Sequence, residues 1–142
     1  MPVILYDPFA DPWPKGVYST SNLEEFFKKA WAVNGGLIAY DEAGADGRWN
    51  KGLDKLFMQA RHQGNICVAL SQRPQDLSRT VRGQADKFCI FALPPLDAEF
   101  LAKEIGEPRI MGAADLPELS FIVSDRWKHV TKSRIKFPEE KP

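Results

Sequence analysis

The sequence predicts an α/β domain: a mainly parallel sheet flanked by helices, with a C-terminal β-hairpin. Three observations carry this. Short apolar runs alternate with segments of helical periodicity from Val3 to Ile105, the order that builds a parallel sheet with crossover helices. Three of those runs close on polar residues, at Asp7, Asp41-Glu42 and Ser71-Gln72, and ligands in such sheets bind beyond the carboxyl ends of the strands. Last, Phe121 to Val123 and Lys128 to Phe137 read as a hairpin whose outer half alternates charged and apolar residues, as an edge strand should.

The elements follow in order. Val3 to Tyr6 is a strand stopped by Asp7-Pro8, and Phe9 to Gly16, holding Pro12 and Pro14, is loop. Ser21-Asn22 offers an N-cap with Glu24 and Glu25 in the first turn. Leu23, Phe26, Phe27, Ala30 and Trp31 then repeat at helical spacing up to Asn34-Gly35-Gly36. Leu37 to Tyr40 is the second strand, and Ala43 to Asn50 a Gly-containing loop. A helix carries Leu53, Leu56, Phe57 and Ala60 and ends at Gln63-Gly64. Ile66 to Leu70 is the third strand, read as buried and broken by Arg73-Pro74. A short helix over Gln75 to Ala85, a fourth strand over Phe88 to Leu93 and a helix over Leu96 to Ile105 complete the series. Pro138 to Pro142 reads as a frayed tail.

A chain of 142 residues suggests one domain, 1–142, able to bury about two thirds of its unfolded surface. Lys+Arg and Asp+Glu are both 19, so the whole chain has no electrostatic pull toward nucleic acid. Acidic residues dominate from Asp97 to Asp125, whereas Arg126 to Lys136 holds five basic residues and no acidic one; that strip reads as solvated surface. Cys67 and Cys89 lie inside apolar strand patterns and lack CxxC spacing, so they read as buried, reduced thiols of a cytoplasmic protein. Met1 to Tyr6 is too short for a signal peptide. No apolar run approaches the ~18 residues of a membrane span, so no membrane partner is expected. His62 reads as complementing a helix C-terminus and His129 as exposed. Trp13, Trp31, Trp49 and Trp127 read as packing residues.

The order of segments resembles one family. Leu37-Ile38-Ala39-Tyr40-Asp41-Glu42-Ala43 resembles a Walker B strand. Gln59 to Asn65 followed by Ile66 to Leu70 and Ser71-Gln72-Arg73-Pro74 resembles the sensor region of the FtsK–HerA superfamily of P-loop ATPases, and Ser78 to Asp86 then Phe88 to Phe91 the stretch after it. Val3 to Pro8 resembles the strand ending in Asp-Pro that follows the P-loop helix. The nearest group is the phage DNA-packaging and zonula occludens toxin-like ATPases. The resemblance covers residues 3–93 and leaves 94–142 as a C-terminal helix and hairpin. It implies a P-loop NTPase-like core in which Asp41 supports Mg²⁺ through water and, with Ser71, faces the nucleotide. Glu42 polarises the attacking water, Gln72 contacts the γ-phosphate, and Arg79 or Arg82 reaches a neighbouring subunit's site.

One part of that pattern is missing. No Gly-x-x-x-x-Gly-Lys-Ser/Thr occurs in the sequence, and Phe9-Ala10-Asp11-Pro12 departs from the family's Gly-containing stretch. Losing about three charge-assisted hydrogen bonds at ~1.5–3 kcal/mol each lowers nucleotide affinity by about three to six orders of magnitude. The expectation is a truncated domain with no cofactor when isolated, and with ATP and Mg²⁺ only where a P-loop is supplied in trans. A protein partner or homo-oligomer is expected, with DNA reached through the oligomer. The alternative is a catalytically inactive phage-type binding or inhibitor protein that reuses the ATPase fold, which Met1, immediately before the first strand, weakly favours. The family's P-loop strand lies between the sensor strand and the one after it, so its loss leaves a gap for the C-terminal hairpin, a second copy or another protein to fill.

Overall fold

The computed structural model describes residues 1–43 and 51–138. Residues 44–50 of the expected loop, with Trp49, and 139–142 of the expected tail lie outside the described residues. The sequence suggests one domain over 1–142; the chain divides into two compact units, Met1–Gln84 and Ala85–Pro142.

The first unit carries β1 (Val3–Tyr6), β2 (Val17–Thr20), α1 (Leu23–Ala32), β3 (Leu37–Tyr40), α2 (Lys51–Gln59), β4 (Ile66–Ala69) and α3 (Arg79–Gln84), with 3₁₀ turns at Ala60–Gln63 and Pro74–Asp76. Its sheet is parallel throughout, in the order β2-β1-β3-β4. Pairing runs from Val3↔Leu37 to Tyr6↔Tyr40 and from Leu37↔Ile66 to Tyr40↔Ala69. The expected adjacency of the strands ending at Asp41 and at Ser71 is therefore present, and parallel. β2 was not anticipated: Val17-Tyr18-Ser19-Thr20 is a half-buried edge strand with only two apolar residues, too weak a pattern to stand out.

α1 starts where its cap predicts. Asn22 Oδ1 accepts the Glu25 N–H at 3.0 Å, and Phe26 and Ala30 face inward. Phe26 meets Tyr40 edge-on at 5.5 Å between ring centroids, and Tyr6 lies 4.6 Å from Tyr40. With Ile4, Ile38, Leu53 and Leu56 these rings form the core, each large side chain contributing about 1.5–3 kcal/mol on burial.

Two buried polar side chains fix the ends of this sheet. At the amino end, Asn65 Oδ1 accepts the Gly36 N–H at 2.8 Å while Nδ2 donates to Val33 O at 2.9 Å. Gly36 is required here, since a Cβ would lie 3.0 Å from the Pro2 carbonyl and 3.1 Å from a Val33 methyl. At the carboxyl end, Asp7 is 0% exposed. Its carboxylate accepts from Phe9 N at 2.8 Å, Asp11 N at 2.7 Å and Trp13 Nε1 at 2.9 Å, which fastens the Pro-rich loop.

The second unit holds β5 (Lys87–Ile90), α4 (Pro95–Ile105), a 3₁₀ helix over Pro108–Asp115, β6 (Ser120–Asp125) and β7 (Val130–Arg134). The strands form a separate antiparallel sheet in the order β5-β6-β7. This corrects one expectation: the fourth strand joins the hairpin rather than the parallel sheet. Of the three ways suggested for filling the gap, insertion of the hairpin is not the one seen. Ile122, fully buried, and Ile90 provide the reason: the inner faces of β6 and β5 pack with Ala98, Leu101 and Ile110 into a core of their own. α4 opens on Pro95 and closes at Gly106, whose φ of 74° suits the left-handed cap.

β4 is thus the terminal strand of its sheet, and it is not buried as expected: Ile66, Val68 and Leu70 are 57%, 37% and 45% exposed. The thiols also depart from expectation. Cys89 is exposed and Cys67 half-buried, both are free, and desolvation pushes Cys67 up to about 11. Trp127 was expected to pack and is instead exposed.

Two outcomes follow for stability. Asn65→Ala leaves the Gly36 N–H and Val33 carbonyl without partners and should cost about 1–3 kcal/mol in urea unfolding; an unchanged midpoint would contradict the bridging role. The hydrogen bond from Trp13, with those from Phe9 and Asp11, holds the Asp7 carboxyl below its ordinary value despite burial. A depressed folded value means that its stabilisation is complete above the ordinary carboxylate range and is lost as the pH falls through the folded value. Acid unfolding of Asp7→Asn should accordingly show less pH dependence below pH ~4 than the parent chain.

Candidate functional site

The carboxyl ends of β3 and β4 form the candidate site. The pairing continues past both strands: Leu70 N donates to Tyr40 O at 2.9 Å and Ala43 N to Leu70 O at 2.7 Å. The turn after β3 is thereby held against the turn after β4. Asp41 Oδ1 accepts the Glu42 N–H at 2.8 Å, and Glu42 sits at φ 51°. That conformation is uncommon for a residue with a Cβ and costs on the order of 1–2 kcal/mol. Across the strands, Gln72 Nε2 donates to Glu42 Oε1 at 3.1 Å. The structure therefore joins the two residues that the sequence placed on neighbouring strand ends.

The other predicted positions have different surroundings. Ser71 Oγ donates to Arg73 O at 2.8 Å and accepts from Arg73 N at 3.3 Å, so its hydroxyl shapes the turn into the 3₁₀ helix at Pro74. Arg82 Nη1 donates to the Leu77 carbonyl and to Pro74 O at 3.4 Å; its guanidinium braces the loop preceding α3. Arg79, at the start of α3, is exposed. Asp7 shares the same edge of the sheet but is saturated by its own loop, which leaves it a structural rather than a ligand-facing carboxylate.

Ser78 is a residue that sequence reasoning passed over. Its Oγ accepts the Val81 N–H at 3.1 Å, capping α3, and donates to Asp54 Oδ1 on α2. A serine before a helical segment is a legible cap signal, but its long-range partner is not. Among the described residues no group of three His, Cys, Asp or Glu side chains is arranged to hold a metal ion. No described helix is long and apolar enough to cross a membrane.

The parallel four-stranded sheet flanked by helices and the C-terminal antiparallel hairpin match a P-loop NTPase-like fold. Similar solved structures include B204, the DNA-packaging ATPase of Sulfolobus turreted icosahedral virus, with 19% identity and a TM-score of 0.69 over 85% of this chain and 68% of that one. The genome-packaging NTPase B204 of Sulfolobus turreted icosahedral virus 2 aligns in its sulfate complex with 16% identity and a TM-score of 0.74, over 96% of this chain and 83% of that one. Its ATP-γ-S complex gives 18% identity and a TM-score of 0.67 over 84% and 68%. At these identities the likeness is one of fold. No protein-family model matches the sequence, and no curated protein matches it.

The strained turn is testable. Glu42→Gly relieves the left-handed conformation and should raise stability by about 1 kcal/mol, whereas Glu42→Val, β-branched at the same φ, should lower it. The two variants shifting the urea midpoint in the same direction would contradict the strain assignment.

Proposed function

We propose that this chain is the carboxylate and sensor half of a motor-like ATPase site, related to DNA-packaging ATPases, and that the phosphate cradle comes from a segment outside these 142 residues. The observation that carries the reading is the 3.1 Å hydrogen bond from Gln72 to Glu42 across adjacent parallel strands. B204 acts as a DNA-packaging ATPase and has been seen with ATP-γ-S, which supports ATP as the nucleotide.

The donor set fits Mg²⁺–ATP in the way such sites use it. Magnesium is held there by one or two carboxylates together with phosphates and water, and Asp41 offers one carboxylate whose Oδ1 is committed to the Glu42 N–H. Bound Mg²⁺–ATP would supply the electrophilic phosphorus and neutralise its charge. Glu42 is the base: its carboxylate takes the proton of an attacking water. Gln72 holds one oxygen of that carboxylate, and a move of its amide to a phosphate oxygen frees the base. Arg79, exposed on α3, is the better candidate of the two arginines to reach a neighbouring subunit, because Arg82 is engaged within its own loop.

The open β4 edge favours a second reading, a binding module that uses the fold without hydrolysis. The two separate by experiment. Under the first reading the isolated chain shows no micromolar affinity for Mg²⁺–ATP in calorimetry. Hydrolysis appears when a chain bearing the Gly-Lys-Ser/Thr loop is added, and Glu42→Gln lowers it about 10²–10⁴-fold. A loop-bearing partner that associates tightly yet yields no hydrolysis supports the second reading, and micromolar ATP affinity in the isolated chain overturns the trans cradle.

A further inference from the structure

We propose that the β6–β7 hairpin is a contact surface for the DNA backbone. The choice of DNA as partner rests on the motor-like reading above; the surface itself is defined by the side chains of the second unit.

The described cations of this unit, Lys87 on β5 apart, fall into two groups. Lys103 is paired with Glu99, Arg109 with Glu107 and Arg126 with Asp86, at 2.8, 2.9 and 3.0 Å. Lys128, Lys132, Arg134 and Lys136 have no ion-pair partner among the described residues and are all exposed. Lys132 and Arg134 share one face of β7 about 7 Å apart, where each can meet a backbone phosphate.

The turn presents an indole. Trp127 is 76% exposed at the tip. Its turn is held by Asp125, whose Oδ1 accepts from Trp127 N and His129 N, each at 2.9 Å, and whose Oδ2 lies 2.9 Å from His129 Nδ1. The His129 N–H holds the Asp125 carboxyl below its ordinary value. Arg109 Nη2 donates to Lys128 O at 3.0 Å and fastens the tip from the helical side. A turn already ordered loses little entropy on binding. Lysines on an edge strand also deter pairing with other chains. That duty explains neither Trp127 nor Phe137, which is 71% exposed.

The test uses the full chain without nucleotide, so it reads DNA contact independently of ATPase activity. A fluorescein-labelled duplex of about 20 base pairs is titrated by anisotropy from about 50 to 200 mM salt. The parent chain should bind, with affinity falling as salt rises. The triple variant Lys132→Ser, Arg134→Ser, Lys136→Ser should lower the log–log salt slope by about 2–3, at ~0.9 for each phosphate no longer neutralised. Trp127→Ala removes no charge and should leave the slope unchanged, and Lys103→Ser should change nothing. If the triple variant fails to fold by circular dichroism, the pair Lys132→Ser, Lys136→Ser serves, with a slope lower by about 2. No binding by the parent chain at the lowest salt, an unchanged slope in the variants, or binding to anionic vesicles but not to the duplex overturns the proposal. Loss of the ATP reading with this binding intact leaves the surface standing.

Discussion

The buried carboxamide of Asn65 is the constraint on which the working edge of the parallel sheet depends. It bridges the turn before β3 to the turn before β4, between residues 29 apart in sequence. The ladder then proceeds with the same offset, Leu37↔Ile66 through Tyr40↔Ala69, and delivers Glu42 to Gln72, 30 apart, at the far end. A slip of one residue would turn every side chain of β4 to the opposite face. The core does not forbid such a slip strongly, because the outer side of β4 is exposed. A specific hydrogen-bonding group at the start of the ladder supplies the register that packing leaves loose.

Three acidic residues at the carboxyl edge of one sheet meet different fates, and the difference lies in their neighbours. Asp7 is followed by a loop that folds back and donates two backbone N–H groups and an indole N–H, so its capacity is spent within the loop. Asp41 receives one backbone N–H, and Glu42 is lifted by its left-handed backbone toward the glutamine of the next strand. Strain concentrated at one position with its side chain turned to a second polar group is typical of sites shaped for a ligand rather than for stability.

Much of the first unit was legible because its signals are local. The apolar runs of β1, β3 and β4, the Asn22 cap and the polar strand ends are each written in a few consecutive residues, and their order carried the expectation of an α/β fold with a parallel sheet, which the structure has. What stayed hidden was non-local or weak. β2 has too little apolar surface to be distinguished from loop. The roles of Asn65 and Asp7 depend on residues brought together only by the fold. The assignment of β5 to the hairpin could not be read from Phe88–Leu93, since a short apolar run is the same whether its neighbour is parallel or antiparallel. Trp127 was misplaced because aromatic content favours packing on average, while a turn closed by Asp125 leaves the ring nowhere to bury.

β4 has a consequence for how such a chain is handled by the cell that makes it. Ile66-Cys67-Val68-Ala69 contains no lysine and no proline, the usual means by which a terminal strand refuses unwanted company. Discrimination then cannot reside in the strand and passes to supply: whichever extended segment is nearest and most abundant when the chain emerges has the advantage. Dilution would protect such a chain, and synthesis in excess would not. The amount of it made at once becomes as much a determinant of the correct product as any contact within it.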